Sequence, residues 1–317
     1  MWCNPNSGLH VVGFRRIDLT AGRAHPVKYR LGHRTGHIGG AGGSAMAEGA
    51  PSPAQVYQSI FVPAMLDELT GLSVAAAAPT EGETAVDLAC GTGIVARRIA
   101  PILGPGGGVI AVDLRPGMLE VARALDPPPG AAVTWRQGDA TALDLASGKA
   151  DLVICQQGLQ YFADRPAALA EMRRILRPGG RLVLTVWCNL GELGLMDELV
   201  AAEARHLAAF DVTFEDIALP FTAGDPEMLA RIVGAAGFDR VAVRRERITA
   251  RFPSADSLVR DVELPYMAVI GPFLQDPARF EGFVAAVQAD VAPALERWRD
   301  GAGVSFPMHT WIVTARC

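Results

Sequence analysis

The chain has 317 residues, half of them hydrophobic, and a formal net charge of −5. That length supports one large α/β domain with insertions, or two small domains, and the mild acidity gives no reason to expect DNA or an acidic membrane as partner. No apolar run approaches the ~18 to 20 residues that cross a bilayer. Five scattered cysteines without a CxxC pair (Cys3, Cys90, Cys155, Cys188, Cys317) fit free thiols in a reducing cytoplasm, not a disulfide frame or a zinc site.

Residues 1–50 are rich in Gly, Arg and His, poor in acids and without an apolar period. They are expected to form a disordered extension, with Met46 as an alternative start. His33 and His37 have helical ligand spacing, but Gly36, Gly39 and Gly40 oppose the helix, so no metal is expected. Residues 51–317 form the folded domain. The spacing predicts a helix over 54–72 interrupted at Pro63, strand 84–89, helix 94–103, strand 109–113 and helix 116–125, with proline in its first turn. Strand 132–136, strand 151–155, helix 164–176 and strand 181–187 follow. Strands alternating with helices imply right-handed βαβ units and a parallel sheet covered on both faces. Beyond Trp187 the alternation loosens. Helical segments over 191–217 and 225–236, strand 239–250, a mostly helical 254–300 and a final strand 304–316 are expected. The inserts, about 188–224 and 251–303, are too long for simple connections. They are expected to cover the carboxyl ends of the strands as a mobile apolar lid carrying Phe210, Phe214, Leu219, Phe221, Tyr266, Met267, Phe273 and Phe280.

The strongest local signal is Val86-Asp87-Leu88-Ala89-Cys90-Gly91-Thr92-Gly93. A strand ends, the backbone turns on glycines, and a helix begins, which aims backbone amides and a helix N-terminus at a ligand. Gly91 to Ala96 also fits the dinucleotide form GxGxxA, and Asp113 ends the next strand about 20 residues on, as a ribose-binding acid would. These two features alone leave a nicotinamide oxidoreductase open. Three others separate the readings. Asp87 puts a carboxylate inside the first strand, of little use to a pyrophosphate but useful to a zwitterionic sulfonium ligand. Gly138-Asp139-Ala140 follows the third strand, where a carboxylate can accept from an adenine amine. Ile175-Leu176-Arg177-Pro178-Gly179-Gly180 precedes the fifth.

In this order and spacing, VDLACGTG, VIAVDLRPGMLEVAR, the Gly-Asp-Ala step and ILRPGG resemble the class I S-adenosylmethionine-dependent methyltransferase family, nearest its small-molecule, UbiE-like branch. The likeness runs from about Tyr57 to Trp187. It implies a Rossmann-like, mostly parallel seven-stranded sheet whose last strand, 304–316, is antiparallel. It also implies that Asp87 and the turn Ala89, Cys90, Gly91, Thr92, Gly93 hold the methionine part of S-adenosyl-L-methionine. Asp113 would bind the ribose, Leu114 and Met118 line the adenine, and Asp139 and Ala140 contact its edge. Gln156 and Gln157 would flank the methionine part and face the substrate. Ala89 stands where many members have glycine. Each polar residue also has a plain alternative: Asp87 or Asp113 as a helix or loop cap, Asp139 as a turn residue, the glutamines as loop hydrogen-bonders.

The implied reaction is methyl transfer to an O, C or N nucleophile of a small hydrophobic metabolite. His206 and His309 are candidate general bases, and no catalytic residue is assigned. Cys155-Gln156-Gln157-Gly158 lacks the Asn-Pro-Pro-Tyr character of a loop that holds a flipped base, so no nucleic acid is expected. A fold member that binds the cofactor without transferring methyl remains the alternative.

Overall fold

The computed structural model describes residues 52–210, 212–267, 273 and 276–317. The expectations for residues 1–50 lie outside these, as do the side chains of Tyr266 and Met267. Helix α1, Pro53–Ala77, opens on Ser52, which forms a reciprocal capping box with Gln55. Pro63 does not interrupt it as expected. Tyr57–Leu66 winds as a π-helix, in which the Asp67 amide donates to the Val62 carbonyl five residues back. A wider turn takes in a residue that has no N–H to give and whose ring crowds the preceding turn. By length and composition alone α1 could cross a bilayer. Here its Val62, Met65, Leu66 and Leu69 are buried against the rest of the fold.

The strands are β1 (Thr84–Leu88), β2 (Gly108–Asp113), β3 (Ala132–Gln137), β4 (Ala150–Gln156), β5 (Leu176–Trp187), β6 (Asp239–Phe252), a two-residue β7 (Arg299–Asp300) and β8 (Gly303–Arg316). Helices α2 (Ile94–Leu103), α3 (Pro116–Ala124) and α4 (Arg165–Ile175) alternate with them. The sheet order is β3-β2-β1-β4-β5-β8-β6, with β7 pairing only β8. The first five strands are parallel, and β8 runs antiparallel between β5 and β6. The mostly parallel sheet and its antiparallel closing strand are thus as expected. Helix α2 buries Val95, Ala96, Ile99, Ala100 and Leu103 on one face of the sheet. Helices α4 and α7 (Pro226–Ala235) cover the other. Asp225 caps α7 by accepting from the Glu227 and Met228 amides.

The long hairpin of β6 and β8 decides where the inserts go. Strand β5 ends at Trp187, opposite Thr310. The β6–β8 ladder runs on to Phe252 opposite Val304, so the hairpin overhangs the carboxyl end of the parallel strands. Its overhanging Ile248, Ala250, Phe252, Val304, Phe306 and Met308 form a second core with α1, α5 (Leu195–Leu207) and α9 (Pro277–Arg297). Within it Phe273 meets Phe210 edge-on at 4.7 Å and Phe280 at 5.7 Å. The large side chains expected to line a lid are spent mostly on this packing: Phe221, Phe273 and Phe280 are buried, and Phe214 points to solvent. Aromatic rings with this much area contribute most when they close on one another.

Candidate active site

The site is built where β1, β2 and β4 end. After Leu88 the chain turns through Ala89, Gly91 and Gly93, all with left-handed φ of 57°, 57° and 89°. The Gly93 amide closes the turn onto the Cys90 carbonyl at 2.9 Å. Gly93 must be glycine on a second count, because a Cβ there would lie 2.2 Å from the Trp135 ring. Ala89 holds its left-handed conformation without glycine's freedom, and Gln157 at the end of β4 does the same at φ 54°. Strain of this kind is sustained only where the surroundings over-determine it. The two positions are neighbours: a Cβ on Gly158 would fall 2.7 Å from that of Ala89.

Asp87 is buried beneath the turn, and its Oδ2 accepts from the Ala96 amide in the first turn of α2 at 2.9 Å. Burial pushes its pKa up to about 7; the Ala96 bond opposes this and the nearby Asp113 carboxylate adds to it. Asp113, also buried, takes the Gly91 amide on Oδ2 at 2.8 Å and the Arg115 amide on Oδ1 at 2.9 Å. Its pKa is raised by burial against the pull of those two bonds. Each carboxylate oxygen keeps a further acceptor site, so Asp113 can still receive hydroxyl groups. Leu114 is exposed beside it, while Met118, Ala140 and Cys90 are buried. Asp139 closes a local turn, its Oδ1 accepting from the Thr141 amide and hydroxyl, both at 2.8 Å.

The glutamines are placed differently from expectation. The Gln156 amide is held at both ends by α1: Oε1 accepts from the Ser73 hydroxyl at 2.7 Å and Nε2 donates to the Thr70 hydroxyl oxygen at 2.9 Å. It therefore straps α1 to the end of β4. Gln157 turns inward to Thr185 and Thr310, at 3.4 and 3.3 Å from its Nε2. His206 is not placed as a base: its Nε2 lies 3.0 Å from Asp290, which also pairs with Arg205 on the surface between α5 and α9. His309 directs Nδ1 at the Glu192 carbonyl, 2.7 Å away. A carbonyl only accepts, so that nitrogen is the donor.

Sequence reasoning missed the roof. Tyr57, in the π-helical part of α1, lies over the turn, with its hydroxyl 3.3 Å from where a Gly91 Cβ would stand. Burial, then Tyr161 and the carboxylates of Asp113 and Asp87, push its phenol well above the usual range. Arg115 lies within the field of Asp113, Tyr161 and Tyr57. Arg115 stands inside the VIAVDLRPGMLEVAR run, but no motif marks Tyr57, which reaches it only in the fold. Thr310 could have been found: it is the one polar residue in the buried alternation Val304, Phe306, Met308, Thr310, Ile312.

The residues fit a nucleoside-bearing cofactor. Gly91 and Gly93 add no side chain of their own to the turn, and Asp113 offers acceptor sites one strand away. The buried Thr92 hydroxyl has no hydrogen-bond partner among the described residues, which leaves it available to a ligand.

A methyltransferase-domain family profile matches residues 86–184. Nocamycin O-methyltransferase of Saccharothrix syringae is 33% identical over 193 residues, 57% of this chain and 68% of that protein. The 2-phytyl-1,4-naphtoquinone methyltransferase of Thermosynechococcus vestitus is 34% identical over 173 residues, 51% of this chain and 74% of its own. The fold is shared with phosphoethanolamine N-methyltransferase 2 of Haemonchus contortus, solved with S-adenosyl-L-methionine. That match has a TM-score of 0.51 at 18% identity and covers 83% of this chain and 56% of that one. The chain belongs to the class I S-adenosylmethionine-dependent methyltransferase family. It is a methyltransferase whose methyl donor is S-adenosyl-L-methionine.

Proposed function

We propose that residues 51–317 are a cytoplasmic catalytic domain that methylates a small hydrophobic metabolite at oxygen, carbon or nitrogen. The observation that carries this is the seating of an aromatic helical core on the overhanging β6–β8 hairpin, at the same end of the sheet as Asp87, Asp113 and the glycine turn. A polar floor for the cofactor beneath an apolar cap suits an apolar acceptor in a water-poor site. The names of the nocamycin and naphtoquinone relatives point the same way. Nucleic acid is disfavoured because two of the three arginines in the basic run on β6 are paired within the fold, Arg244 with Glu246 and Arg245 with Glu192.

In this reading the turn Ala89 to Gly93 and Asp87 hold the methionine part of the cofactor. Asp113 accepts from the ribose, Leu114 and Met118 flank the adenine, and Asp139 and Ala140 meet its edge. Gln157 shapes the far wall, and Gln156 acts only through α1. Bound S-adenosylmethionine supplies a methyl group activated by its sulfonium. The protein aligns the acceptor and keeps water out, which is catalysis by positioning. Incubation of metabolite extracts with methyl-labelled cofactor tests the proposal: label should pass to a small apolar product. Tight binding of S-adenosylhomocysteine with no label transferred to any extract would favour a cofactor-binding protein that transfers no methyl.

A further inference from the structure

We propose that Gln160 anchors an O–H or N–H group of the methyl-accepting substrate. This rests on the reading of the chain as a small-molecule methyltransferase. Gln160 belongs to a single 3-10 turn, Leu159–Tyr161, immediately past the end of β4. It is buried to 1% exposure. Its Oε1 has no hydrogen-bond partner among the described residues. A buried acceptor left unpaired is costly and rare in a folded chain.

The direction of the surrounding hydrogen bonds fixes what that vacancy can take. The Thr310 hydroxyl donates its one proton to a carbonyl, that of Val186 at 2.8 Å. Toward Gln157 it therefore offers only lone pairs, and Gln157 must present Nε2 to it, at 3.3 Å. Gln157 then presents Oε1 on its other side, where it accepts from Gln160 Nε2 at 2.8 Å. Gln160 is left with Oε1 outward from the chain of bonds. With Gln157 so oriented, reversing the Gln160 amide would set oxygen against oxygen, so the free group is an acceptor and its partner must be a donor. A methylated or aprotic partner cannot satisfy it.

The position suits a substrate contact. On one side Gly158 packs against Ala89 of the cofactor turn. On the other, Arg165 ties the Gln160 carbonyl, at 3.2 Å, to the Thr222 hydroxyl of the first insert, at 3.4 Å. Gln160 thus stands between the cofactor turn and the segment expected to select the substrate. Tyr161, next in the chain, is half exposed and lies in the field of Arg115 and Tyr57.

Phenol and anisole probe this directly, because they share a ring and differ in the O–H. Each is titrated into the full chain with and without S-adenosylhomocysteine, following the Gln160 side-chain amide by nitrogen–proton NMR. Phenol should move that resonance and bind about tenfold more tightly than anisole, the scale of one matched hydrogen bond. Gln160→Leu should erase the preference while S-adenosylhomocysteine affinity stays within about twofold of the parent. The wild-type comparison needs no variant and decides the matter even if Gln160→Leu does not fold. Equal response to phenol and anisole, or no response to either, would overturn the proposal and leave a trapped water as the partner of Oε1. A preference for phenol that survives in Gln160→Leu would overturn it equally. Loss of S-adenosylhomocysteine binding in the parent chain would count against the cofactor site alone.

Discussion

Neutralising Asp87 should flatten the pH dependence of stability. In the unfolded chain this carboxyl titrates near 3.8, and in the folded chain near 7. Between those values the native state holds a proton that the unfolded state has released. Stability therefore falls as pH rises through the window and stays low above it. A shift of about three units corresponds to roughly 4 kcal/mol at about 1.4 kcal/mol per unit. The residue is almost fully buried, so solvent screening removes little of it. Asp87→Asn keeps the shape and an oxygen for the Ala96 amide but carries no charge. Its new amide hydrogens need acceptors, at a cost of about 1–3 kcal/mol if unmet, so the variant should gain about 1–3 kcal/mol over the parent at pH 8. Near pH 4 the gain should vanish or reverse. Urea unfolding at half-unit steps from pH 4.5 to 8.5 measures both curves. Asp113 adds a slope of the same sign to each chain, so the difference between the curves carries the test. Parallel curves across this range would mean that Asp87 is ionised in the native state at neutral pH, and that burial does not dominate at this position.

Asp113→Ala removes a carboxylate acceptor and leaves the Gly91 and Arg115 amides unpaired. Calorimetry should show S-adenosylhomocysteine binding weakened by about 2–3 kcal/mol, and full affinity in a folded variant would remove the ribose role. Gly93→Ala forces a Cβ to within 2.2 Å of Trp135 at a φ of 89°. It should cost about 2–4 kcal/mol by thermal unfolding, and a shift of under 1 kcal/mol would show that Trp135 moves freely. Gln156→Leu severs two hydrogen bonds but leaves Thr70 bonded to the Leu66 carbonyl and releases the single Ser73 hydroxyl proton to the Leu69 carbonyl. A loss of about 1–2 kcal/mol in stability with unchanged cofactor affinity is expected, whereas a tenfold fall in affinity would restore the residue to the ligand groove.

The parallel part of the fold was legible because its signals are local. Alternating apolar strands and helices, the proline opening α3, and the glycine turn each constrain a few consecutive residues. Asp113 was legible for the same reason, as an acid at a strand end at a fixed distance from the turn. What escaped depends on contacts between distant segments. Pro63 reads as a helix break in one dimension, and only the packing of α1 on its neighbours supports the π-helical winding that absorbs it. Gln156 reads as a ligand-facing residue because the resemblance puts it at the end of the fourth strand, yet Thr70 and Ser73, more than eighty residues earlier, take up its amide. The aromatic residues of the inserts were seen, but composition does not distinguish a ring that lines a cavity from one that fills a core.

The overhang of the β6–β8 hairpin draws α1 into two duties at once, since its Val62, Leu66 and Leu69 join the crown core while its Tyr57 lies over the glycine turn. The family match ends at residue 184, before β5 is complete, and the hairpin reaches the rest of the sheet only through the β5–β8 edge. A change in the crown is therefore felt at α1, and through Tyr57 at the turn after β1. An engineer joining this sheet to a homologue's crown would have to exchange the buried face of α1 together with everything after Trp187.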